Sequence, residues 1–392
     1  MGGVSAGAAQ VHTGQVEVCE TLADVDPAAW DALAGCRNPF LRHDFLRALE
    51  TSGCVGPGTG WLPRHFLLRT ADRSGLLAAA PGYLKTHSYG EYVFDWAWAH
   101  AYERAGLSYY PKLVLAVPFS PVTGPRLLLA DAAPDGTGDA LATAVTEAAR
   151  QWQLSSAHWL FVDEQQALLL ERQGLLLRTD QQFHWRNADY ADFDDFLARL
   201  SSRKRKNIRR ERRQVSEAGI EIEVTSGDAV DSAVLERFYP LYRGTVARRG
   251  GVAYLNREFF AEIGTRMGDA VVLVQAFHGG RLIAGSLNLR GRDALYGRYW
   301  GALERFDSLH FECCYYATIE YCIQHGLELF EAGAQGEHKL SRGLLPSTTW
   351  SAHWLARPEF RDAVADYLRH ERDDVARYAD VLAQHSPFRQ TP

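Results

Sequence analysis

The chain of 392 residues is long enough for two or three domains, each with a core of its own. Apolar residues make up 46%, an ordinary share for a globular protein, and no stretch approaches the roughly 18 uncharged apolar residues of a membrane span. The net charge is −6 but is unevenly spread, because residues 203–213 carry eight basic side chains and one acidic one, which predicts an anionic partner there.

In the first half, strands and helices alternate after a lead of about 14 residues without a pattern. Asp26 and Pro27 fit the N-cap and the first position of a short helix. Leu141, Val145 and Ala148 share one side of a later amphipathic helix. The predicted elements are a strand at 16–20, helices at 27–33 and 43–51, a strand set within 64–98, an insertion or extra strand pair within 111–129, a helix at 133–152, a strand at 157–162, a helix at 165–173 and a strand at 175–185.

The second half repeats this alternation and ends in a long amphipathic helix with an acidic outer face. Its predicted elements are a helix at 192–200 that leads into the basic run, a strand at 220–224, a helix at 228–248 broken at Pro240, strands at 271–277, 281–290 and 294–300, a helix at 310–325, strands at 327–330 and 348–355, and a helix at 360–382. Hairpins at the start of each half predict mixed α/β (α+β) sheets rather than a doubly wound parallel sheet.

The two halves also resemble each other. Residues 66–99 can be aligned with residues 271–303 at an offset of 204 to 205, which places Trp96 on Trp300. Each copy predicts a strand, a turn centred on Gly, a second strand and a third strand that ends in Trp. This period is too long for a solenoid. We therefore predict two related domains in tandem, at 15–185 and 186–392, with a cleft between them as the place for chemistry.

The basic run predicts a helix over 201–214 with cations on adjoining flanks. Such a ridge can contact several phosphates at once through charge and through bidentate Arg hydrogen bonds. The pattern alone does not separate tRNA from a pyrophosphate-linked lipid or coenzyme A, and a solvated helix face is the structural alternative. The candidate phosphate-binding residues of the run are Arg203, Lys204, Arg205, Lys206, Arg209 and Arg210.

A polar segment, residues 331–343, follows a predicted strand and contains candidates for acyl transfer to an amine. Glu331 or His338 could accept the proton that the amine loses. Gln335 and Lys339 could orient the acyl carbonyl or stabilise its oxyanion, and Arg342 could help to hold donor phosphates. The alternative is a polar loop with an ordinary mixture of charges.

Several other site types are excluded or weakened by the sequence. There is no Gly-x-Gly-x-x-Gly opening a helix, no phosphate-binding Gly-x-x-x-x-Gly-Lys loop and no Gly-x-Ser-x-Gly elbow. His338 has no partners at a familiar zinc spacing, and none of the six cysteines forms a Cys-x-x-Cys pair. Residues 1–10 lack the features of a signal peptide. We expect a reduced, cytoplasmic protein with no bound metal and no stable membrane insertion.

Three motifs resemble one bacterial family. They are Ser-x-Arg-Lys-x-Lys-Asn-Ile-Arg-Arg-Glu-Arg from Ser201, the strand end Tyr299-Trp300-Gly301-Ala302, and Glu-x-Gly-Ala-Gln-Gly-Glu-His-Lys-x-x-Arg-Gly from Glu331. Together they are similar to the peptidoglycan biosynthesis/recognition proteins of the Fem-like transferases, over about residues 17–388. This resemblance implies two tandem GNAT-like acyltransferase domains, of which the second carries the site.

Relatives of this kind transfer an aminoacyl group from aminoacyl-tRNA to an amine, whereas plain GNAT enzymes use acyl-coenzyme A. In the stretch that would match the GNAT pyrophosphate loop, Arg298 and Gly301 fit the pattern, but Glu304 and Asp307 place negative charge where a pyrophosphate would lie. The resemblance therefore favours tRNA over coenzyme A as donor, with Arg298, Tyr299 and Trp300 added to the binding residues.

We accordingly predict an aminoacyltransferase that forms an amide on an amine acceptor, either a lipid-linked cell-wall precursor or a small molecule. Its donor co-substrate is aminoacyl-tRNA, and no cofactor is tightly bound. One alternative is an acyl-coenzyme A-dependent N-acyltransferase. A second is a non-catalytic module that binds a phosphate-bearing ligand.

Overall fold

The computed structural model describes residues 16–389, apart from positions 36, 74, 249, 334 and 335. The strands of the described residues are β1 (Val16–Cys19), β2 (Trp61–Pro63), β3 (His65–Arg69), β4 (Leu76–Ala80), β5 (Gly82–Lys85), β6 (Lys112–Leu115), β7 (Leu128–Leu129), β8 (Ser156–Val162), β9 (Leu176–Arg186), β10 (Ile220–Ser226), β11 (Val271–His278), β12 (Arg281–Arg290), β13 (Ala294–Ala302), β14 (Leu329–Glu331) and β15 (Leu345–Leu355).

The α-helices of the same residues are α1 (Pro27–Ala34), α2 (His43–Thr51), α3 (Trp96–Arg104), α4 (Thr137–Gln151), α5 (Glu164–Arg172), α6 (Phe193–Arg199), α7 (Ser202–Glu217), α8 (Ser232–Arg248), α9 (Arg257–Arg266), α10 (Leu309–Phe311), α11 (Ala317–Gln324) and α12 (Pro358–Gln384). A π-helical turn, Glu312–Tyr316, joins α10 to α11, and a 3-10 turn, Glu337–Arg342, follows β14.

The strands form two sheets. The larger has 11 strands in the order β10-β11-β12-β13-β14-β9-β15-β8-β6-β5-β2, and the smaller has four in the order β1-β3-β4-β7. Two pairs of the larger sheet, β13 with β14 and β6 with β8, are parallel, and the other strand pairs of the described residues are antiparallel. This mixed α/β arrangement is the one that the sequence predicts. Strand β15 comes late in the chain but pairs on both sides with β8 and β9 of the first half.

The internal repeat is confirmed for its hairpins and is wrong for its third strand. β3 pairs antiparallel with β4, as β11 does with β12. In the second copy the third strand is β13, but in the first copy Trp96 begins α3 instead. This segment forms a helix rather than a strand because Trp98 and Tyr102, four residues apart, both pack inward and are 5% and 2% exposed.

Pro240 does not break its helix, contrary to the prediction, because α8 continues through it from Ser232. Residues Phe238 and Leu241 on either side are buried in the largest apolar core. Packing of this face outweighs the single backbone hydrogen bond that a proline removes.

The largest apolar core joins the two halves of the chain. Phe40 lies edge-on to Tyr296 with ring centroids 5.8 Å apart, and Phe45 contacts Phe259 in the same way at 5.7 Å. The predicted domain boundary at residue 185/186 stays a prediction. The contacts between the halves hold the elements on either side of β14 in place. No helix within the described ranges is both long and apolar enough to cross a bilayer.

Candidate active site

Glu331 lies at the end of β14, at the centre of contacts between the two halves. Its carboxylate is 1% exposed and forms an ion pair with Arg298 of β13, 3.0 Å between Nη2 and Oε2. The hydroxyl of Thr123 donates to the other carboxylate oxygen, and Arg298 Nε donates to Ser120 Oγ at 2.9 Å. Both Glu331 oxygens are thus occupied, which suits this side chain to positioning better than to accepting a proton.

Lys339 is a buried amine that has no carboxylate partner. The residue is 2% exposed, and Nζ donates to the carbonyl oxygen of Gly333 at 2.7 Å. Within the described residues, no Asp or Glu oxygen lies within ion-pair distance of Nζ. Burial, followed by the nearby charge of Arg298, lowers the pKa of Lys339 to about 7. A large part of these side chains is therefore unprotonated at neutral pH and can accept a proton.

His338 precedes Lys339 on the same 3-10 turn and lies against aromatic rings, although the residue is exposed. Its Nε2 lies 3.0 Å from the hydroxyl of Tyr315, and its ring centroid is 5.7 Å from those of Phe311 and Tyr315. Burial, then the charges of Arg342 and Lys339, lower the pKa of His338. A neutral imidazole at this position can exchange a proton with Tyr315 but adds no charge to the site.

Arg342 connects this turn to the basic helix. Its Nη2 contacts both carboxylate oxygens of Glu211 at 3.0 Å, its Nε donates to Tyr316 and its Nη1 donates to the carbonyl of His338. The guanidinium also lies 3.4 Å from the centre of the Phe311 ring. Protein groups occupy it on all sides, so it holds the turn against α7 and leaves little room for a phosphate.

The basic run forms α7, as predicted, but only part of its charge is free. Ile208 and Val215 anchor the inner face, and Arg212 pairs with Glu312 and Glu320 at 3.0 and 2.8 Å. Arg209 pairs at the surface with Asp194, 2.8 Å away. Within the described residues, the other predicted cations have no carboxylate in ion-pair distance. We call these five the cationic face: Arg203, Lys204, Arg205, Lys206 and Arg210.

The motif at the end of β13 has a packing explanation. A Cβ on Gly301 would lie 2.2 Å from the carbonyl carbon of Leu241, so glycine allows α8 to approach the strand. Tyr299 packs against Tyr242, and its hydroxyl is buried with no hydrogen-bond partner among the described residues. Trp300 lies against His310, 5.3 Å between ring centroids.

The structure thus brings most of the predicted residues into one connected region. Glu211 and Arg342 join the cationic helix to the 3-10 turn, and that turn holds Lys339 within electrostatic reach of Arg298. Gln335 lies outside the described residues, and its role stays a prediction.

Sequence reasoning missed the residues that complete these links, which are Ser120, Thr123, Glu211, Tyr315 and Tyr316. Only Glu211 stands out in the sequence, because it is the single acidic residue in the basic run.

Comparison with known proteins identifies the family and the fold. The FemAB-like family model, described as peptidoglycan biosynthesis/recognition, matches residues 21–390. No curated protein sequence matches the chain significantly. The crystal structure of FemX is similar at a TM-score of 0.53 and 10% identity, over 87% of this chain and 98% of FemX.

Two further solved structures cover similar shares of the chain. A conserved protein of unknown function from Bacteroides thetaiotaomicron has a TM-score of 0.51 at 10% identity, over 86% of this chain and 99% of its own. A tandem GNAT protein from the clavulanic acid biosynthesis pathway has a TM-score of 0.43 at 13% identity, over 88% and 99%. The mixed α/β, tandem GNAT-like fold predicted from the sequence is confirmed.

Proposed function

Because the chain belongs to the FemAB-like family of peptidoglycan biosynthesis/recognition proteins, we propose that it transfers an aminoacyl group from aminoacyl-tRNA to an amine of a cell-wall precursor. The observation that carries this proposal is Lys339, a buried amine with no carboxylate of the described residues in ion-pair distance. The charge of Arg298 acts on it, and Arg342 of the same turn joins it through Glu211 to the cationic helix. Membership of a transferase family also sets aside a non-catalytic binding module.

In this reaction the acceptor nitrogen attacks the ester carbonyl of the aminoacyl group. A C–N bond forms, the ester C–O bond breaks, and the nitrogen loses a proton. Neutral Lys339 takes up that proton, since burial keeps its pKa near neutral. The resulting ammonium returns the proton to the departing ribose oxygen, so that no cofactor is consumed.

The ion pair of Arg298 and Glu331 joins the two halves of the chain near this base. Arg298 links β13 to Ser120 of the first half, and Glu331 holds Thr123. These contacts join β13 and β14 to the segment of Ser120 and Thr123, and acyl transfer requires such fixed positioning of its groups. Gln335 keeps the role predicted for it, orientation of the acyl carbonyl.

The cationic face supplies the binding site for the donor. Its five side chains have no carboxylate in ion-pair distance in the part of the chain that the structure describes, and they can neutralise several backbone phosphates at once. On a helix, Lys204 stands two turns before Glu211 on the same side, so it is the cation turned most directly toward the 3-10 turn. Coenzyme A is less well accommodated, because packing against α8 accounts for Gly301 and because Glu304 follows in the loop.

The test is a transfer assay with two donors in parallel. Purified protein is given labelled aminoacyl-tRNA or acetyl-coenzyme A with a cell-wall precursor, and the amide product is measured by mass spectrometry. We expect product from aminoacyl-tRNA and none from acetyl-coenzyme A. Product from acetyl-coenzyme A alone would overturn the proposed donor.

The proposed base is tested with two substitutions in the same assay. Lys339→Met removes the amine, and Lys339→Arg replaces it with a guanidinium that stays protonated and cannot accept a proton. Both should lower kcat by about 10²–10⁴, the usual effect of losing a general base. Arg172→Met, an exposed cation on α5, is the control and should retain full activity. Wild-type turnover in both Lys339 variants would refute the assignment.

A further inference from the structure

Three tyrosines on two loops are exposed and have no part in the reaction described so far. Tyr89 and Tyr92 come from the loop between β5 and α3, and Tyr254 comes from the loop between α8 and α9. Their exposed fractions are 57%, 37% and 36%. Isolated exposed aromatic residues are ordinary, but here two separate loops, one from each half of the chain, bring them together. We call this group the tyrosine rim.

A stacked ring pair and a hydrogen bond link the rim to Arg298. The Tyr254 ring stacks on Phe119, with centroids 4.9 Å apart and planes within 8°. Phe119 immediately precedes Ser120, which accepts a hydrogen bond from Arg298. Tyr92 lies within electrostatic reach of both Tyr254 and Arg298. The rim is therefore linked through Phe119 and Ser120 to Arg298 of the candidate site.

Buried charges hold the rim loop in one conformation. Lys112 is fully buried and donates to the carboxylates of Glu91 and Asp95, which flank Tyr92 in sequence. The carbonyl of Tyr89 accepts hydrogen bonds from Lys85 and from the indole of Trp61, both at 3.2 Å.

The backbone at the rim is also unusual. Tyr92 and Phe119 both adopt left-handed conformations, φ 62° and 59°, which bulky residues rarely take. Such conformations persist where the surrounding structure enforces them, often at ligand sites.

The chemistry of the rim suits a neutral ring rather than a phosphate. The cations near the rim are engaged with protein groups. Arg298 is paired with Glu331, Lys112 contacts Glu91 and Asp95, and the buried Lys85 donates to the Tyr89 carbonyl, whereas the cationic face lies on α7. A tyrosine offers an apolar face and a hydroxyl at its edge. A pyranose has the matching surfaces, a face of C–H groups and a rim of hydroxyl and amide groups.

We propose that the tyrosine rim is the subsite for a neutral N-acetylhexosamine ring of the acceptor. This inference rests on the proposed function only in taking a cell-wall precursor as the acceptor. The rim would stack one face of the sugar and hydrogen-bond its edge. The attached peptide amine would then be directed toward Lys339, while the donor is held by the cationic face.

Binding can be measured without turnover, by saturation-transfer NMR and titration of the purified protein. The probes are a disaccharide muropeptide, the same peptide without sugars, and adenosine as a planar ring. We expect saturation transfer to the pyranose protons. The double variant Tyr89→Leu/Tyr254→Leu should weaken muropeptide binding about tenfold and leave the sugar-free peptide unchanged. Tyr367→Leu, an exposed tyrosine on α12, is the matched control and should bind normally.

The outcomes separate this inference from the proposed reaction. Equal affinity for the muropeptide and the sugar-free peptide, or transfer to adenosine in preference to the sugars, would overturn the sugar subsite even if the enzyme is active. If muropeptide binding depends on the rim but aminoacyl-tRNA is not a donor, the subsite stands and the donor assignment fails. In an active enzyme the double variant should raise KM for the muropeptide about tenfold with kcat within about twofold.

Discussion

Two buried lysines, one in each half of the chain, are held in opposite ways. Lys112 of β6 is fully buried and contacts the carboxylates of Glu91 and Asp95. Burial opposes its charge, but the two carboxylates outweigh burial and raise the pKa of Lys112. Lys339 is equally buried, donates only to the Gly333 carbonyl, and has a pKa lowered to about 7. A buried amine is structural where carboxylates neutralise it and chemically available where they are missing.

Lys85 stands between these two cases. Its Nζ is 3.9 Å from Glu91 and lies 3.8 Å from the centre of the Trp61 ring. Burial lowers its pKa to about 7, because the carboxylate is too distant to offset desolvation fully. Lys85 also donates to the Tyr89 carbonyl, so its position fits support of the rim loop rather than transfer chemistry.

The largest expected effect on stability comes from removing Lys112 from its ion pairs with Glu91 and Asp95. Lys112→Met should destabilise the protein by about 3–5 kcal/mol, because it leaves the carboxylates of Glu91 and Asp95 buried without their partner. Lys339→Met should change stability by less than about 1 kcal/mol, since it removes no ion pair. Urea unfolding followed by circular dichroism measures both. An equal decrease in the free energy of unfolding of the two variants would contradict the distinction between the two lysines.

The pH dependence of turnover tests the availability of Lys339 directly. Its native pKa of about 7 lies below that of an ordinary lysine, so the active, neutral form accumulates as pH rises. We expect kcat/KM to fall about tenfold per pH unit below pH 7 and to level off above it. Lys339→Arg should not show this fall of kcat/KM below pH 7, and its turnover should be slow at every pH. A wild-type profile that is flat between pH 5.5 and 8 would contradict the proposed base.

Much of the fold could be predicted because its signals are local. The Asp26 N-cap accepts from the amides of Ala28 and Ala29, as its sequence position before Pro27 indicates. Apolar spacing placed α12 to within a few residues. The repeat failed at Trp96 because aligned aromatic residues do not reveal whether their backbone is strand or helix, which tertiary packing decides.

The candidate site was only partly predictable because its partners are distant in the chain. The segment that ends β14 is visible in sequence as a cluster of polar residues. The pairing of Glu331 with Thr123 spans 208 residues, and that of Arg342 with Glu211 spans 131. No local pattern encodes such choices. They also change the interpretation of Glu331 and Arg342, from a free base and a phosphate ligand to groups that position their neighbours.

The third prediction concerns a histidine pair that joins β8 to β15, and so the two halves. His158 and His353 are both buried, with their Nδ1 atoms 2.7 Å apart. Burial lowers the pKa of His158 to about 3, whereas an unfolded histidine has a pKa of about 6.5. Between these values only the unfolded state takes up the proton. Stability is therefore complete above about pH 6.5 and should fall by up to about 1.4 kcal/mol per pH unit toward pH 3.

Urea unfolding at pH 7, 6 and 5 checks this slope. The double variant His158→Asn/His353→Asn should flatten it, and His100→Asn, an exposed histidine on α3, should not. A wild-type stability that is constant over this range would show that the pair is not held neutral in the native state.

The smallest expected effect concerns the solvated cations of α7, which contrast with the buried lysines. Arg203 and Arg210 are exposed on α7, and no carboxylate of the described residues lies within ion-pair distance of either. Arg203→Gln/Arg210→Gln should therefore weaken tRNA binding without unfolding the protein. The slope of log Kd against log salt concentration should decrease by about 1.5–2, close to one phosphate contact per lost charge. Arg172→Gln on α5 is the control and should leave the slope unchanged. An unaltered slope in the double variant would mean that the donor is bound elsewhere on the protein.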